Sequence, residues 1–148
     1  MLSWTVNSSP EKTRENSEKV FAITSYSKKV LAEILAEEPD IKFDHKKNGI
    51  LHFYRTPKKF DKALKEAEMY AEIGCKMQIL TPEECVKKEP ALVKLLDEKK
   101  LAGGVFYEDD ETGDSVKFSR ALERICREKY GVVFEYDVDV KNLLNNRR

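Results

Sequence analysis

The five prolines constrain this chain most, because proline is tolerated in the first turn of a helix or beyond its end, but not in its interior. Pro10, Pro57 and Pro82 each follow a serine or threonine, residue types that cap helix N-termini, so each predicts the start of a helix. Pro39 and Pro90 follow stretches of helical character and predict helix ends. The chain is therefore predicted to be rich in helices from residue 10 onward.

Apolar residues in the first helix recur at roughly helical spacing and predict a single apolar stripe, formed by Val20, Phe21, Ile23, Val30, Leu31, Ile34 and Leu35. The third helix begins with a capping box, Thr81 to Glu84, in which two side chains each accept a backbone hydrogen bond. A last helix is predicted from about Asp114 to Tyr130, with Gly131 as its stop.

Five further stretches have the composition of strands. Two short strands are predicted around Lys47-Asn48-Gly49, because Asn-Gly between apolar runs is a strong hairpin signal. The others are residues 75–80, 101–108 and 132–140. Paired glycines in the second of these, Gly103 and Gly104, suggest a bulge or a close backbone approach.

Length and composition fit one soluble unit with a core. The chain has 148 residues, of which 41% are hydrophobic and 36% charged. The predicted fold class is α+β: a helix-rich unit in which helices cover a small mixed or antiparallel sheet. No internal repeat is found.

Several classes of protein are disfavoured by charge and pattern. Twenty-seven basic and 27 acidic residues give a net charge of zero, so no nucleic-acid partner is expected. No apolar run approaches the roughly 18 residues of a membrane span, and no signal peptide is seen, so a cytoplasmic protein is expected. Three widely spaced cysteines without a CxxC pair predict free, buried thiols rather than zinc ligands or catalytic groups, namely Cys75, Cys85 and Cys126.

The acidic stretch from Glu108 to Asp114 invites a metal or acid/base interpretation, since five carboxylates and one glycine occupy seven positions. Aligned as a calcium loop, it places Ser119 where the bidentate acid must stand, so the match fails. Nothing basic is placed to separate the pKa values of two acids for general acid/base catalysis. Helix entry explains more: Gly113 supplies an unusual backbone angle, and Asp114 caps the next helix.

The remaining candidates are single residues. His52 is predicted to be a hydrogen-bonded strand histidine rather than a general base, and His45 is predicted to be exposed to solvent. Tyr54 and Arg55 together offer the hydrogen bonds that hold a carboxylate, although a surface arginine at the start of a loop is the commoner situation. No catalytic residue and no metal ligand is assigned.

The order of the motifs is more specific than any one of them. "NGILHFYRT", a helix, "AEIGCKMQIL", "CVKKEPAL", "LAGGVFYEDDETGDSVKF" and a helix into "GVVFEYDVDVKNLL" follow one another. This order resembles the middle of the FAD-dependent D-amino acid dehydrogenases of small-subunit type, within the D-amino acid oxidase-like flavoenzyme family. The resemblance covers about residues 10–144, and its most specific parts are Glu89 to Leu92 and Gly103 to Phe118.

The resemblance implies an oxidoreductase that converts D-amino acids to imino acids, which hydrolyse to 2-oxo acids and ammonia. FAD takes the hydride and passes electrons to a membrane acceptor, which implies a peripheral position on the inner membrane for the intact enzyme. Residues 10–113 correspond to the substrate-domain portion, and residues 114–144 to a helix–strand piece of an incomplete FAD domain. Residues 1–9 are expected to be a flexible tail.

Cofactor-binding residues carry over at one position only. Val140 matches the valine whose backbone meets the adenine in relatives, although Asp139 stands where relatives often have proline. The G-x-G-x-x-G unit and the downstream substrate clamp have no counterpart, so the chain alone is expected to bind no flavin. It is then an internal fragment or a subunit that joins separately encoded parts. The alternative is a non-catalytic remnant that binds a partner or self-associates through the exposed edge of the 132–140 strand.

Overall fold

The computed structural model describes residues 9–142. Within them, helix α1 is followed by alternating strands and helices, with a 3₁₀ turn between α3 and α4: α1 (Pro10–Glu37), β1 (Ile50–Tyr54), α2 (Pro57–Glu72), β2 (Met77–Leu80), α3 (Pro82–Lys88), the turn (Pro90–Leu92), α4 (Val93–Asp97), β3 (Gly103–Tyr107) and α5 (Ser115–Tyr130). The α+β, helix-rich architecture is confirmed. The predicted tail lies outside the described residues, apart from Ser9.

The helix boundaries follow from side-chain caps, as the sequence predicts. The Ser9 hydroxyl accepts from a first-turn amide of α1 at 3.3 Å. Thr81 and Glu84 form the predicted capping box, with hydrogen bonds of 2.8 and 3.2 Å. The carboxylate of Asp114 accepts from a first-turn amide of α5 at 2.9 Å, and Gly131 ends that helix with a φ of 64°.

The sheet is purely antiparallel, with the strand order β1-β3-β2. Its register aligns His52 of β1 with Val105 of β3, and Val105 with Ile79 of β2. The central strand β3 is therefore the last of the three in sequence and joins two strands that do not touch each other. Of the two sheet types left open by the sequence, the structure selects the antiparallel one.

The hairpin predicted around Lys47-Asn48-Gly49 is wrong. Gly49 does turn the chain, with a φ of 71°. However, β1 pairs with β3, while Lys46 pairs with Thr112 in an isolated bridge and the Gly49 amide donates to the Asp110 carbonyl at 3.1 Å. An Asn-Gly turn reverses the chain but does not determine which strand β1 pairs with. Here β1 pairs with β3, and the residues before the turn pair with the acidic stretch.

Both faces of β3 are buried against helices, and its glycines permit this. A Cβ at Gly104 would lie 2.6 Å from the Cys85 sulfur of α3, and a Cβ at Gly103 would lie 2.5 Å from the Phe60 ring of α2. Val105, the next residue of β3, has no exposed surface. The predicted close backbone approach is confirmed, and the register through both glycines is regular, without a bulge.

Two apolar clusters form the core. The first lies between the sheet and α3–α4 and contains Leu80, Cys85, Leu92 and Leu101. The second joins α5 to the segment after α1 and contains Ile41, Phe43 and Ile125, against which Ile34, Leu35, Phe118, Ala121 and Leu122 pack. Only the C-terminal part of the predicted α1 stripe is used in this way, since Val20 and Ile23 are exposed.

The strand predicted at residues 132–140 is wrong for the described chain. These residues follow Gly131 without regular structure, and most of their apolar side chains are exposed. Arg127 of α5 holds the segment, donating to the Phe134 carbonyl at 3.3 Å and lying 5.0 Å from the Phe134 ring centroid. The composition is that of a strand, but a strand needs a neighbour, and none pairs with it here.

No helix within residues 9–142 combines the length and the apolar character needed to cross a bilayer.

We expect Gly104→Ala to lower the free energy of unfolding by about 1–3 kcal/mol, because the added methyl group overlaps the Cys85 sulfur. The same substitution in a Cys85→Ala background should cost clearly less, because the sulfur has gone. Urea unfolding of the two single variants and the double variant measures this coupling. Additive effects of the two substitutions would contradict the packing described here.

Candidate functional site

The main candidate site is a cleft of about 600 Å³ between α1 and one face of the sheet. The helix side contributes small polar residues around Val20 and Phe21, and the opposite side is formed by His52, Tyr70, Cys75, Tyr107 and Asp110. The walls are mainly apolar, with polar groups distributed along them, which is the usual character of small-molecule sites.

Strand geometry explains why His52 and Tyr107 meet in this cleft. Alternate residues of a strand share one face, and directly paired residues of neighbouring strands point to the same side. Ile50 pairs with Tyr107 and His52 pairs with Val105, so His52 and Tyr107 are diagonal neighbours. Their ring centroids lie 5.0 Å apart at an interplanar angle of 63°.

Two titratable groups in the cleft, Tyr107 and Cys75, have raised pKa values. Burial raises the pKa of Tyr107, and burial followed by the charges of Asp110 and Asp109 raises the pKa of the Cys75 thiol. A thiol with a raised pKa is mostly protonated near neutrality and is a poor nucleophile. The cleft therefore offers an apolar surface with hydrogen-bonding groups, not an activated nucleophile.

His52 lies on β1, as predicted, and its exposed ring contacts Tyr107 edge-on, while its hydrogen bond remains a prediction. Of the two other residues considered on this strand, Tyr54 packs beside Phe60 with ring centroids 5.9 Å apart. Burial, followed by the charge of Glu66, raises the Tyr54 pKa. Arg55 is exposed, as expected for a surface arginine.

His45 is not exposed, contrary to the prediction, and belongs to a second, charged site. Its Nε2 lies 2.5 Å from a carboxylate oxygen of Glu111, and the two side chains are only 18% and 23% exposed. The Phe43 ring stacks on the imidazole at 4.8 Å, and Lys47 approaches Glu111 at 3.4 Å. No local pattern indicates this pair, because its members are 66 positions apart.

The acidic stretch is used to join segments of the fold. Burial alone would raise the pKa of Glu111, but the hydrogen bond with His45 and the charge of Lys47 outweigh it and leave the pKa lowered. Asp114 caps α5, so the predicted helix entry is confirmed. Among the described residues, no group of three or more potential ligands is arranged to hold a metal ion.

The predicted reason for Gly113 is wrong. Its φ does not lie in the left-handed region. A Cβ at this position would instead lie 2.6 Å from the Phe43 ring, so glycine is needed for space. The Phe43 carbonyl also accepts the Asp114 amide at 2.7 Å, which fixes the two segments side by side.

The one proposed cofactor residue, Val140, lies in the segment after α5 and is 72% exposed. The structure brings it into contact with neither the cleft nor the His45–Glu111 pair. Its predicted role toward adenine remains a prediction.

Comparison with known proteins identifies the family. Residues 4–148 match the family model described as FAD dependent oxidoreductase, so the chain belongs to this family. The D-amino acid dehydrogenase of Paramagnetospirillum magneticum is 37% identical over 143 residues, which are 97% of this chain and 33% of that protein. The D-amino acid dehydrogenase of Chromohalobacter salexigens is 31% identical with the same coverage. The chain thus spans about a third of the length of these relatives, and the resemblance seen in its motifs is confirmed.

Solved structures agree at the level of the fold. Glycine oxidase from Geobacillus kaustophilus superposes with a TM-score of 0.53 and 23% identity, over 78% of this chain and 28% of that one. Glycine oxidase from Bacillus cereus gives a TM-score of 0.54 and 19% identity, over 78% and 29%. The three-stranded sheet and its helices therefore have the fold of a segment of these flavoenzymes.

We expect Glu111→Gln to lower the free energy of unfolding by about 1 kcal/mol near neutral pH, where a hydrogen-bonded carboxylate is replaced by a neutral amide. Folding lowers the pKa of Glu111, so its charged form contributes stability above the unfolded-state pKa. That contribution is lost as the pH falls through the folded-state pKa, so the difference between the two proteins should shrink in acid.

Urea unfolding at a series of pH values measures this difference. Glu68→Gln, at an exposed position of α2, is the control and should change neither the stability nor its pH dependence. A difference between wild type and Glu111→Gln that does not change with pH would refute the assigned role.

Proposed function

We propose that this chain is the substrate-domain portion of an FAD-dependent D-amino acid dehydrogenase, which oxidises D-amino acids to 2-oxo acids and ammonia. The observation that carries the proposal is the identity of 31–37% to D-amino acid dehydrogenases over 97% of the chain. The curated relatives carry this activity in their names, and the fold of the chain agrees with a segment of flavoenzymes.

The specific motifs of the resemblance support the proposal through their structural roles. Glu89 accepts the Ala91 amide at 3.0 Å and so caps the 3₁₀ turn that begins at Pro90. Gly103 and Gly104 make room for helices on both faces of β3. These residues specify the scaffold, so the resemblance in these motifs supports a shared fold and a shared place in the larger enzyme.

FAD accepts the hydride in this reaction, and the described residues are poorly suited to bind FAD. A dinucleotide cofactor is gripped at a helix N-terminus that follows a glycine-rich turn. Here the N-termini of α1, α3 and α5 are filled by the side chains of Ser9, Thr81 and Asp114, α2 begins after Thr56 without a glycine-rich turn, and G-x-G-x-x-G is absent. We therefore assign the chain no step through the flavin and expect it to be inactive alone.

This chain then contributes part of the wall of the substrate cavity and no catalytic group. In the complete enzyme, the stretch from His52 to Arg55 would border the substrate cavity, while partners supply the flavin grip and the substrate clamp. The relatives are about three times as long, and we propose that the parts they have beyond this chain supply these groups. We also propose that the substrate-domain portion ends at residue 113, where the piece of the FAD domain begins, and that the protein is cytoplasmic.

We expect the purified chain, mixed with FAD and a panel of D-amino acids, to retain no flavin after gel filtration and to reduce no redox dye. Co-expression with two polypeptides that carry the parts of the Paramagnetospirillum relative not covered by this chain should yield a yellow complex. That complex should reduce the dye with D-amino acids.

The same two polypeptides without this chain are the control and should be inactive. Flavin retention and dye reduction by the chain alone would refute the inactive-fragment proposal. Failure of the folded complex to oxidise any D-amino acid while it retains flavin would refute the substrate class.

A further inference from the structure

Helix α1 is attached to α5 at its C-terminal end. Ile34 and Leu35 pack in the apolar cluster that α5 shares with the segment after α1. The Lys129 ammonium of α5 donates to both carboxylate oxygens of Glu38, at 2.6 and 2.7 Å, and the Glu38 side chain is only 15% exposed. The two helices therefore form one packed unit, here called the helix pair.

The sheet with α2, α3 and α4 forms a second unit, here called the sheet unit. Within residues 9–142, its apolar cluster shares no residue with the cluster of the helix pair. The chain crosses between the two units twice, at residues 38–49 and 108–114. These crossing segments bind each other, because the backbone groups of Lys46 and Thr112 exchange two hydrogen bonds of 2.9 Å. Two packed units joined by short paired segments have the arrangement of a hinge.

The candidate cleft lies between these two units. Its wall on the helix pair is the N-terminal half of α1, from Thr13 to Thr24, and its wall on the sheet unit includes Tyr70, Cys75 and Tyr107. Asp110, in one of the crossing segments, also lines it. A rotation of the helix pair about the crossing segments therefore widens or narrows the cleft.

An ion pair joins the N-terminal end of α1 to the sheet unit. An Arg14 guanidinium nitrogen lies 2.7 Å from a Glu72 carboxylate oxygen at the end of α2, with both side chains about half exposed. Along the helix, Arg14 is about 30 Å from Leu35, so a small rotation at the anchored end moves Arg14 by several ångströms. Lys28, by contrast, donates to the Asp109 carbonyl in a crossing segment. An exposed ion pair is weak, so it holds α1 reversibly.

We propose that α1 is a hinged cover over the cleft: the helix pair rotates about residues 38–49 and 108–114, and the Arg14–Glu72 ion pair holds the cover closed. Closure shields Cys75 from water, and release exposes it. The hinge, the ion pair and both walls of the cleft are formed by residues of this chain. The movement needs neither flavin nor substrate, so it does not rest on the function proposed above.

Cys75 reports on the opening, because its alkylation by iodoacetamide requires access to the sulfur. The test measures the alkylation rate of each cysteine in the full chain at low salt, by mass spectrometry of its peptides. Arg14→Glu replaces attraction to Glu72 by repulsion and should raise the rate at Cys75 at least about threefold. An added negative charge by itself raises the pKa of a thiol and slows alkylation, so a faster rate reports opening.

Two further variants separate the ion pair from a general effect of charge. Arg124→Glu is the matched control: it also breaks an ion pair with a glutamate four residues on, but that pair lies within α5. It should change the rate at Cys75 less than about 1.5-fold. Exchanging the charges, by combining Arg14→Glu with Glu72→Arg, should restore the wild-type rate.

The other two cysteines distinguish opening from unfolding. Cys85 is fully buried and Cys126 lies on α5, and their rates should stay at the wild-type values in every variant. An unchanged or slower rate at Cys75 in Arg14→Glu overturns the proposal. So does a charge exchange that leaves the rate as high as in the single variant, or a rise at Cys85 that accompanies the rise at Cys75.

Discussion

The close approach of two helices to the central strand is the constraint on which the rest of this structure depends. Gly103 and Gly104 are adjacent, so their missing side chains open opposite faces of β3, one toward Phe60 of α2 and one toward Cys85 of α3. Close packing on both faces lets a sheet of only three short strands support helices on both sides. A side chain at either glycine would meet both a helix side chain and a backbone oxygen of a neighbouring strand. It would therefore move a helix away from the sheet or displace β3.

The parts of the fold that the sequence predicted are those determined within a few residues. Proline positions and caps such as Thr81 with Glu84 act over one helical turn, so the helix boundaries were predictable. The partner of β1 was not, because the choice between residues 41–46 and β3 depends on packing across the chain. His45 was misjudged for the same reason: Glu111, which removes it from solvent, is a neighbour only after folding.

Residues 132–140 show a second limit of prediction from local sequence, because a pattern typical of a strand does not ensure that a strand forms. Their alternation predicted a strand, yet strand propensity expresses how well side chains fit a neighbouring pleated surface, not a preference of the isolated backbone. Without that surface the segment rests on Arg127, whose guanidinium covers the Phe134 ring and whose hydrogen bond satisfies one carbonyl. The alternation therefore describes the composition of the segment, while its structure depends on a neighbouring strand that the described residues do not provide.

The kinship with flavoenzymes rests on residues that shape the scaffold. Glu89 caps a turn, Gly113 admits the Phe43 ring, and Asp114 begins α5, so each has a role in the fold that does not depend on a substrate. Substrate choice depends instead on side chains that line a cavity, and the candidate cleft here is lined by neutral groups such as Tyr107 and Cys75. Because a cofactor performs the redox step and the protein positions it, the contacts that build this scaffold do not by themselves define the chemistry. Family membership therefore describes how this chain folds more directly than what it does.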